Sequence, residues 1–137
     1  MNDGDVDNAE VTRWFAGYLE SFAALGRGEV DDVGRILEHY SVPLIVSTDD
    51  ECLILTDEAQ VKAVAKRQFD NLRADGYDHS VVLDAESTVL NRSCVVHHGR
   101  FARMRADGSE MSRIESTYLI VDGPVGPRIS VLVRHTP

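Results

Sequence analysis

The sequence predicts an α+β domain in which three N-terminal helices lie over a curved, mixed but mostly antiparallel sheet that encloses a pocket. Apolar residues recur at three- and four-residue steps through most of the chain before residue 77. Four long segments rich in Val, Ile, Thr and Tyr follow. Their connections are short, and a parallel return needs a dozen or more residues, so these strands are antiparallel. With 137 residues and 43% hydrophobic content, the chain can form one domain with a substantial core.

The first predicted helix begins after Asp7, which can cap it, and Glu10 completes a capping box. Gly26 and Gly28 end this helix, because glycine accepts the left-handed conformation that follows many helix C-termini. We expect residues 1–6 to form a disordered leader and residues 7–137 to form a single domain. The buried stripe of the helix comprises Val11, Trp14, Phe15, Tyr18, Leu19, Phe22 and Leu25.

The second predicted helix begins at Glu29 and ends at Tyr40, shortly before Pro43, which cannot continue a helix. The third begins after Thr56, a candidate N-cap, and ends at Gly76. Between them, two apolar runs at residues 44–46 and 52–55 flank a polar turn, which predicts a hairpin.

Four strands follow the helices. On the last of them, alternation places Ile129, Val131 and Val133 on one face and Ser130 and Leu132 on the other. Turn-forming sequences rich in Asn, Asp, Gly and Pro separate the strands. The predicted strand ranges are 77–91, 94–105, 111–122 and 128–135.

The charge balance argues against nucleic acid and membrane partners. The chain carries 23 acidic and 14 basic residues, a formal net charge of −9, which repels a phosphate backbone. No cluster of Lys and Arg could bind an anionic membrane, and no apolar stretch approaches the ~20 residues that span a bilayer. Only two cysteines occur, Cys52 and Cys94, and the acidic N-terminus is unlike a signal peptide. These features predict a cytoplasmic protein.

The order of elements, with an aromatic first helix and Gly26-Arg27-Gly28-Glu29-Val30-Asp31 before a helix ending in Tyr40, resembles the NTF2-like superfamily. This superfamily includes SnoaL-like polyketide cyclases, ketosteroid isomerases and limonene epoxide hydrolase. The resemblance covers residues 8–136. It implies a cone-shaped, cystatin-like fold with an internal cavity, and a homodimer formed through the outer face of the sheet.

Tyr18 occupies the position at which the resemblance to ketosteroid isomerases implies an oxyanion-hole tyrosine. A phenol in a dry pocket can donate a hydrogen bond to a developing enolate oxygen, although the same spacing suits a core tyrosine. Alignment on Tyr40 places Ser47 or Thr48 at the position of the isomerase base, and neither hydroxyl is a base at neutral pH without a partner. Asp49 and Asp50 lie just beyond and are typical of a turn. Glu115 is the nearest candidate for the second acid.

Arg113 shares a sheet face with Glu115 and could hold that carboxylate in its ionised form. Together with Asp84 or Glu86, the two residues offer an acid–arginine–acid set of the kind that the resemblance to limonene epoxide hydrolase suggests. A cross-strand salt bridge on the solvent face is the alternative interpretation.

The five histidines give no metal motif, because none form an i, i+4 pair on a helix and no CxxC accompanies them. We therefore predict neither a metal nor a cofactor, and no phosphate loop or dinucleotide fingerprint occurs. His97 and His98 point to opposite faces of a strand, so that one faces inward and could act as a general base. A hydrogen-bonded core histidine is the alternative.

Three functions fit this architecture. The first is a SnoaL-like pocket protein that binds a small, largely apolar molecule. The second is a cofactor-independent acid/base enzyme (isomerase, cyclase, dehydratase or hydrolase) that uses Tyr18, His97 or His98, and Glu115. The third is a non-catalytic dimerisation or interaction module. The residues predicted to line the ligand pocket are Trp14, Phe15, Tyr18, Tyr40, Phe69 and Tyr118.

Overall fold

The computed structural model describes residues 8–136, so the expected leader at residues 1–6 and the capping residue Asp7 lie outside the described residues. Its helical segments are α1 (Asn8–Gly26), a 3-10 helix (Val33–Glu38) and α2 (Glu58–Ala74). Its strands are β1 (Tyr40–Ser47), β2 (Cys52–Leu55), β3 (Tyr77–Asn91), β4 (Cys94–Arg105), β5 (Glu110–Gly123) and β6 (Gly126–Arg134).

The described strands form one six-stranded sheet in the order β2-β1-β6-β5-β4-β3. β1 and β6 are parallel, and every other neighbouring pair is antiparallel. The sheet is therefore mixed and mostly antiparallel, and helical segments precede the four long strands. This arrangement confirms the predicted α+β class.

The second predicted helix is much shorter than expected, and this prediction is wrong in extent. Asp32 caps a 3-10 helix of six residues by accepting a hydrogen bond from the Gly34 N–H. Tyr40 is the first residue of β1, not the last residue of a helix. The side chain of Asp32 competes for backbone donors and Gly34 lowers helix propensity, so a longer α-helix does not form here.

The N-cap of α2 is Asp57, one residue later than predicted. Its side chain accepts a 2.8 Å hydrogen bond from the Gln60 N–H. The Gln60 side chain in turn accepts a 2.7 Å hydrogen bond from the backbone N–H of Thr56. Gly28 (φ 82°) and Gly76 (φ 84°) follow α1 and α2 in the left-handed region, where residues with a Cβ are strained.

Aromatic side chains fill the space between α1 and the inner face of the sheet, which is the face toward the helices. Phe15 packs against Phe101, with ring centroids 6.0 Å apart, and against Tyr118 at 4.9 Å. Phe22 meets Phe69 of α2 at 5.0 Å and Tyr77 of β3 at 6.0 Å. The aromatic stripe predicted for α1 therefore forms the core that joins both helices to the sheet.

A bulge in β6 decides which of its residues face inward. Ile129 pairs with Ile120, and Val131 pairs with the next residue of β5, Leu119, so Ser130 is an extra residue on β6. Ile129 is fully buried on the inner face, whereas Val131 lies on the outer face. The predicted placement of these two residues on one face is therefore wrong, because the bulge interrupts the alternation.

Candidate functional site

A small cavity lies beneath α1, against the inner face of β4, β5 and β6. Its volume is about 20 Å³, close to the room that one water molecule needs. It is mostly aromatic and aliphatic, but two arginines reach it. Its lining residues are Tyr18, Leu19, Phe22, Gln68, Ser80, Phe101, Arg103, Ile114, Tyr118, Leu132 and Arg134.

A larger groove of about 270 Å³ adjoins this cavity, between α2 and the hairpin of β1 and β2. Gln68, Leu132 and Arg134 border both spaces. About half of its lining residues are aliphatic side chains of α2, β1 and β2, namely Leu44, Val46, Leu53, Leu55, Val61, Val64 and Ala65. Polar and charged residues, among them Glu51 and Arg67, also line the groove. The groove thus leads toward the arginine end of the cavity.

The two arginines of the cavity have no acidic partner in it, because none of its lining residues is a carboxylic acid. The Nε of Arg103 is buried and has no hydrogen-bond partner in the described part of the chain. Burial lowers the pKa of Arg103, and the positive charge of Arg134 lowers it further. Arg134 donates a 3.2 Å hydrogen bond from Nε to the hydroxyl of Ser116. Both arginines therefore reach a space that no acid lines, and Arg134 also borders a surface depression that Asp49, Asp50 and Glu115 line.

Three tyrosines surround the arginines. The hydroxyls of Tyr18 and Tyr40 lie 2.8 Å apart and form a buried hydrogen bond. Burial raises the pKa values of Tyr18, Tyr40 and Tyr118, so these phenols keep their protons at neutral pH. They can donate hydrogen bonds, but they cannot neutralise the arginines.

His97 lies on the inner face of β4 and is buried, with its ring centroid 4.1 Å from that of Phe15. Its Nδ1 is 2.7 Å from the hydroxyl of Ser87. Burial lowers the pKa of His97 to about 4, so this imidazole is neutral at physiological pH. It is not among the residues that line the cavity.

His98 and Glu115 lie on the outer face, on the other side of the sheet from Tyr18. The His98 Nε2 is 2.5 Å from the Glu115 Oε2, and this hydrogen bond lowers the pKa of Glu115. Arg113 instead donates to Glu110 at 3.1 Å, so the predicted Arg113–Glu115 pair does not form. The four proposed catalytic residues thus fall into two groups on opposite faces.

Only three of the six residues predicted to line the ligand pocket line the cavity or the groove. Tyr18 and Tyr118 line the cavity, and Tyr40 lines the groove. The other three belong to the core and line neither space: Trp14, Phe15 and Phe69. Trp14 is half-buried and stacks on Tyr18 with a centroid separation of 6.4 Å.

The sequence interpretation missed Arg103, Arg134 and Gln68. A signal existed for Arg103, which follows the apolar Phe101 by two residues and so shares its strand face. Arg134 was hidden, because the bulge at Ser130 shifts the alternation of β6. Gln68 precedes the buried Phe69 on α2 and borders the apolar stripe of that helix.

Within residues 8–136, no helix has the length and apolar character required to cross a membrane. A search among curated proteins found no match to this chain.

Solved structures share this fold at low sequence identity. A cystatin-like protein from Nostoc punctiforme is 9% identical, with a TM-score of 0.72 over 93% of this chain and 89% of that one. An NTF2-like protein with a cystatin-like fold from Novosphingobium aromaticivorans is 15% identical, with a TM-score of 0.70 over 93% of this chain and 80% of that one. An NTF2-like superfamily protein from Salmonella enterica is 15% identical, with a TM-score of 0.62 over 94% of this chain and 89% of that one.

These matches confirm the NTF2-like, cystatin-like fold. The model of one family, described as NTF2-like protein (DUF6841), matches residues 9–137, nearly the whole chain. The chain therefore belongs to this NTF2-like family.

Proposed function

We propose that this protein binds a small, largely apolar molecule that carries a carboxylate, with the carboxylate held by Arg134 and Arg103. The observation that carries the proposal is the pair of arginines at a tyrosine-lined cavity whose lining contains no acid. The apolar part of the ligand lies in the groove between α2 and the β1–β2 hairpin.

Burying a cation costs free energy. A desolvated guanidinium is unfavourable unless a hydrogen-bonded counter-charge accompanies it. The unpartnered Nε of Arg103 and the lowered pKa of its guanidinium indicate that the free protein lacks this compensation. A carboxylate accepts two parallel hydrogen bonds from a guanidinium, so it supplies both the charge and the acceptors. The hydroxyls of Tyr18 and Tyr118 can donate to the same group.

The groove suits the apolar part of the ligand. Its aliphatic walls bury a hydrocarbon or aromatic body, and Gln68 and Arg134 lie where the groove meets the cavity. Pockets for small molecules are typically apolar with a few placed polar groups that fix orientation. This arrangement selects for a ligand that is apolar at one end and anionic at the other.

Acid/base catalysis, the second function considered from the sequence, lacks a paired group at this site. The hydroxyl of Tyr18 meets Tyr40, and no hydrogen bond joins it to a histidine or carboxylate of residues 8–136. The Nδ1 of His97 is hydrogen-bonded to the hydroxyl of Ser87. Glu115 lies on the opposite face of the sheet from Tyr18 and is hydrogen-bonded to His98. The geometry therefore favours binding over turnover.

The test compares a carboxylate with its neutral isostere in a thermal-shift measurement. We expect 3-phenylpropionate to raise the melting temperature by several degrees at saturating concentration, because a ligand of the folded state stabilises it by mass action. Its amide, 3-phenylpropionamide, keeps the shape without the charge and should give little or no shift. Acetate, which lacks the apolar body, should also give little or no shift in the melting temperature.

Two variants assign the effect to the arginines. Arg134→Met should abolish the shift, whereas Arg113→Met is a matched control, because Arg113 is exposed, pairs with Glu110 and lines neither the cavity nor the groove. Equal stabilisation by acid and amide, or an undiminished shift in folded Arg134→Met and Arg103→Met proteins, would overturn the proposal.

A homodimer formed through the outer sheet face remains part of the proposal. Val96, Leu119 and Val131 form an apolar row across β4, β5 and β6, and Ile45 of β1 continues it. An apolar face of this kind suits a self-complementary interface.

The cytoplasmic location predicted from the sequence also stays a prediction.

Analytical ultracentrifugation at micromolar concentration tests the dimer. We expect a dimer mass for the unmodified chain and a monomer mass for Val131→Lys. Val125→Lys places the same substitution in the exposed β5–β6 turn, away from the apolar row, and should remain dimeric. A monomer mass for the unmodified chain would contradict this assignment.

A further inference from the structure

Three metal-ligand side chains converge on the outer face of the sheet. They come from three neighbouring strands: His98 from β4, Glu115 from β5 and His135 from the residue that follows β6. One donor atom from each lies within 4.8 Å of the others. The His98 Nε2 is 2.5 Å from the Glu115 Oε2, and the His135 Nδ1 is 3.4 Å from the same oxygen.

The sheet register explains this convergence. The backbone N–H of His135 donates to the Glu115 carbonyl at 2.9 Å, so these residues lie directly opposite each other. His98 pairs with Thr117, two residues along β5 from Glu115, which makes His98 a diagonal neighbour. Outward side chains at directly opposite and diagonal positions are within reach of one another, and regular strands hold them firmly.

We propose that these residues bind a divalent first-row transition metal of the Zn²⁺ type, with His98 Nε2, Glu115 Oε2 and His135 Nδ1 as ligands. Two imidazoles and one carboxylate suit zinc and its neighbours better than Mg²⁺ or Ca²⁺, which prefer oxygen ligands alone. Zinc–ligand bonds of about 2.0–2.1 Å in tetrahedral geometry place the ligand atoms about 3.3 Å apart.

One of the three separations already has this length, and none exceeds 4.8 Å. That one is the 3.4 Å separation of the His135 and Glu115 atoms. The 2.5 Å separation of the His98 and Glu115 atoms is that of a hydrogen bond, and it widens when the metal replaces the shared proton. The side chains of His98, Glu115 and His135 are 28%, 34% and 35% exposed, so solvent can reach the metal and supply a further ligand.

An outer hydrogen bond orients one of the imidazoles. The His135 Nε2 lies 2.7 Å from the hydroxyl of Thr117. When Nε2–H donates to that hydroxyl, Nδ1 keeps its lone pair and faces the carboxylate oxygen of Glu115. In this tautomer Nδ1 can bind a metal ion that lies between it and the carboxylate. Metal-bound histidines commonly have their second ring nitrogen held in this way.

Charges of both signs surround the proposed position, since Arg113 and Arg134 also line the surface depression beside Glu115 and His135. Arg100 is the nearest base, and its Nε is 3.7 Å from the other carboxylate oxygen of Glu115, Oε1. Asp84 lies 3.5 Å from the same guanidinium and offsets part of its charge. Asp49 and Asp50 line the surface depression that borders Glu115 and His135.

The proposed metal site is independent of the ligand pocket. It lies on the opposite face of the sheet from Arg103, and no residue of its ligand set lines the cavity or the groove. The sequence spacing could not indicate it, because the three ligands are far apart in the chain and meet only through strand pairing.

The test uses untagged protein, freed of metal by a chelator, and titrates it with Co²⁺ as a spectroscopic probe. We expect visible absorption bands that saturate at one ion per chain and disappear when Zn²⁺ displaces the Co²⁺. Glu115→Gln, His98→Ala and His135→Ala should each weaken the affinity by more than about 100-fold, which exceeds the loss usual for outer-shell changes. Thr117→Val, which removes the orienting hydroxyl, should weaken it about 10-fold.

His79→Ala is the matched control. His79 is a partly exposed histidine on β3 with a carboxylate partner, Asp78, at 2.9 Å, but these two residues belong to no three-ligand cluster in residues 8–136. This variant should bind Co²⁺ as the unmodified chain does. Circular dichroism identifies any variant that does not fold, and the remaining variants then decide the outcome. The proposal is overturned if no bands develop, or if folded ligand variants and the control bind equally.

Discussion

The two faces of the sheet use the same residue type under opposite conditions. On the inner face, Arg103 and Arg134 reach a cavity that no acid lines. On the outer face, the side chains of Arg100 and Arg113 are 57% and 67% exposed, and each lies within 4 Å of a carboxylate. The comparison teaches that the neighbours of an arginine, not its presence, indicate what it can bind. A cation without an acid in a dry space indicates an anionic ligand.

The largest expected difference between the faces is in packing. Phe101→Ala removes a ring that is 1% exposed and packs against Phe15, so it should lower the free energy of unfolding by about 3–5 kcal/mol. Val96→Ala, on the half-buried outer face, should lower it by about 1 kcal/mol or less in protein diluted until the proposed dimer dissociates. Urea denaturation of both variants measures this. Similar losses would contradict the assignment of the two faces.

Arg103 gives the next largest effect, and its sign is unusual. Arg103→Met removes a desolvated charge with an unpartnered Nε, so the free energy of unfolding should rise by about 1–3 kcal/mol without ligand. The same variant should lose the stabilisation by 3-phenylpropionate. Denaturant midpoints with and without the carboxylate check both outcomes. A destabilised Arg103→Met protein would show that the guanidinium has partners in the free protein.

A pH effect follows from His39, whose ring is held by the Ser21 hydroxyl at 3.0 Å. Burial lowers the pKa of His39 below its ordinary 6.5. As the pH falls below about 6.5, His39 becomes protonated in the unfolded chain. In the folded chain, His39 becomes protonated only at a lower pH. The stability contributed by the neutral imidazole is therefore complete above that pH and decreases below it.

Each pKa unit by which the folded state lowers the pKa of His39 corresponds to a loss of about 1.4 kcal/mol in the free energy of unfolding at low pH. His39→Gln should flatten this part of the stability profile, measured by urea denaturation between pH 7 and pH 5 with a chelator present. An identical profile for His39→Gln and the unmodified chain would refute this interpretation.

The smallest effect is expected for Arg100→Met on the outer face. Exposed ion pairs contribute about 0–1 kcal/mol, so the free energy of unfolding should change by less than about 1 kcal/mol. Salt titration should remove most of that change. A loss as large as that of Phe101→Ala, measured in protein diluted until the proposed dimer dissociates, would contradict the assignment of Arg100 to an exposed face.

Local sequence signals predicted most of the fold. The aromatic spacing of α1 and the turn residues between the long strands placed these elements within a few residues of their observed bounds. The second helix was predicted too long, because apolar periodicity alone does not register the cap at Asp32. The parallel pairing of β1 with β6 depends on contacts distant in sequence, which periodicity does not report.

The candidate site was less predictable than the fold. Tyr18, Tyr40 and Tyr118 were identified because aromatic residues on a helix stripe and on strands indicate an interior. Arg103 and Arg134 were missed because charged residues are expected at the surface, and only the register shows that they face inward. His98 and Glu115 were identified as separate acid/base candidates, but the sheet places them beside His135.

Ser130 acts on β6 as a one-residue frameshift. Because of it, Leu132 and Arg134 point toward the helices, and Val133 and His135 point away from them. If Ser130 instead paired with Leu119 as a regular ladder residue, the two sets would exchange: the cavity would gain an imidazole and lose a guanidinium, and the histidine–glutamate cluster would lose its third member. Both binding sites proposed for this chain therefore depend on one small residue that contacts neither of them.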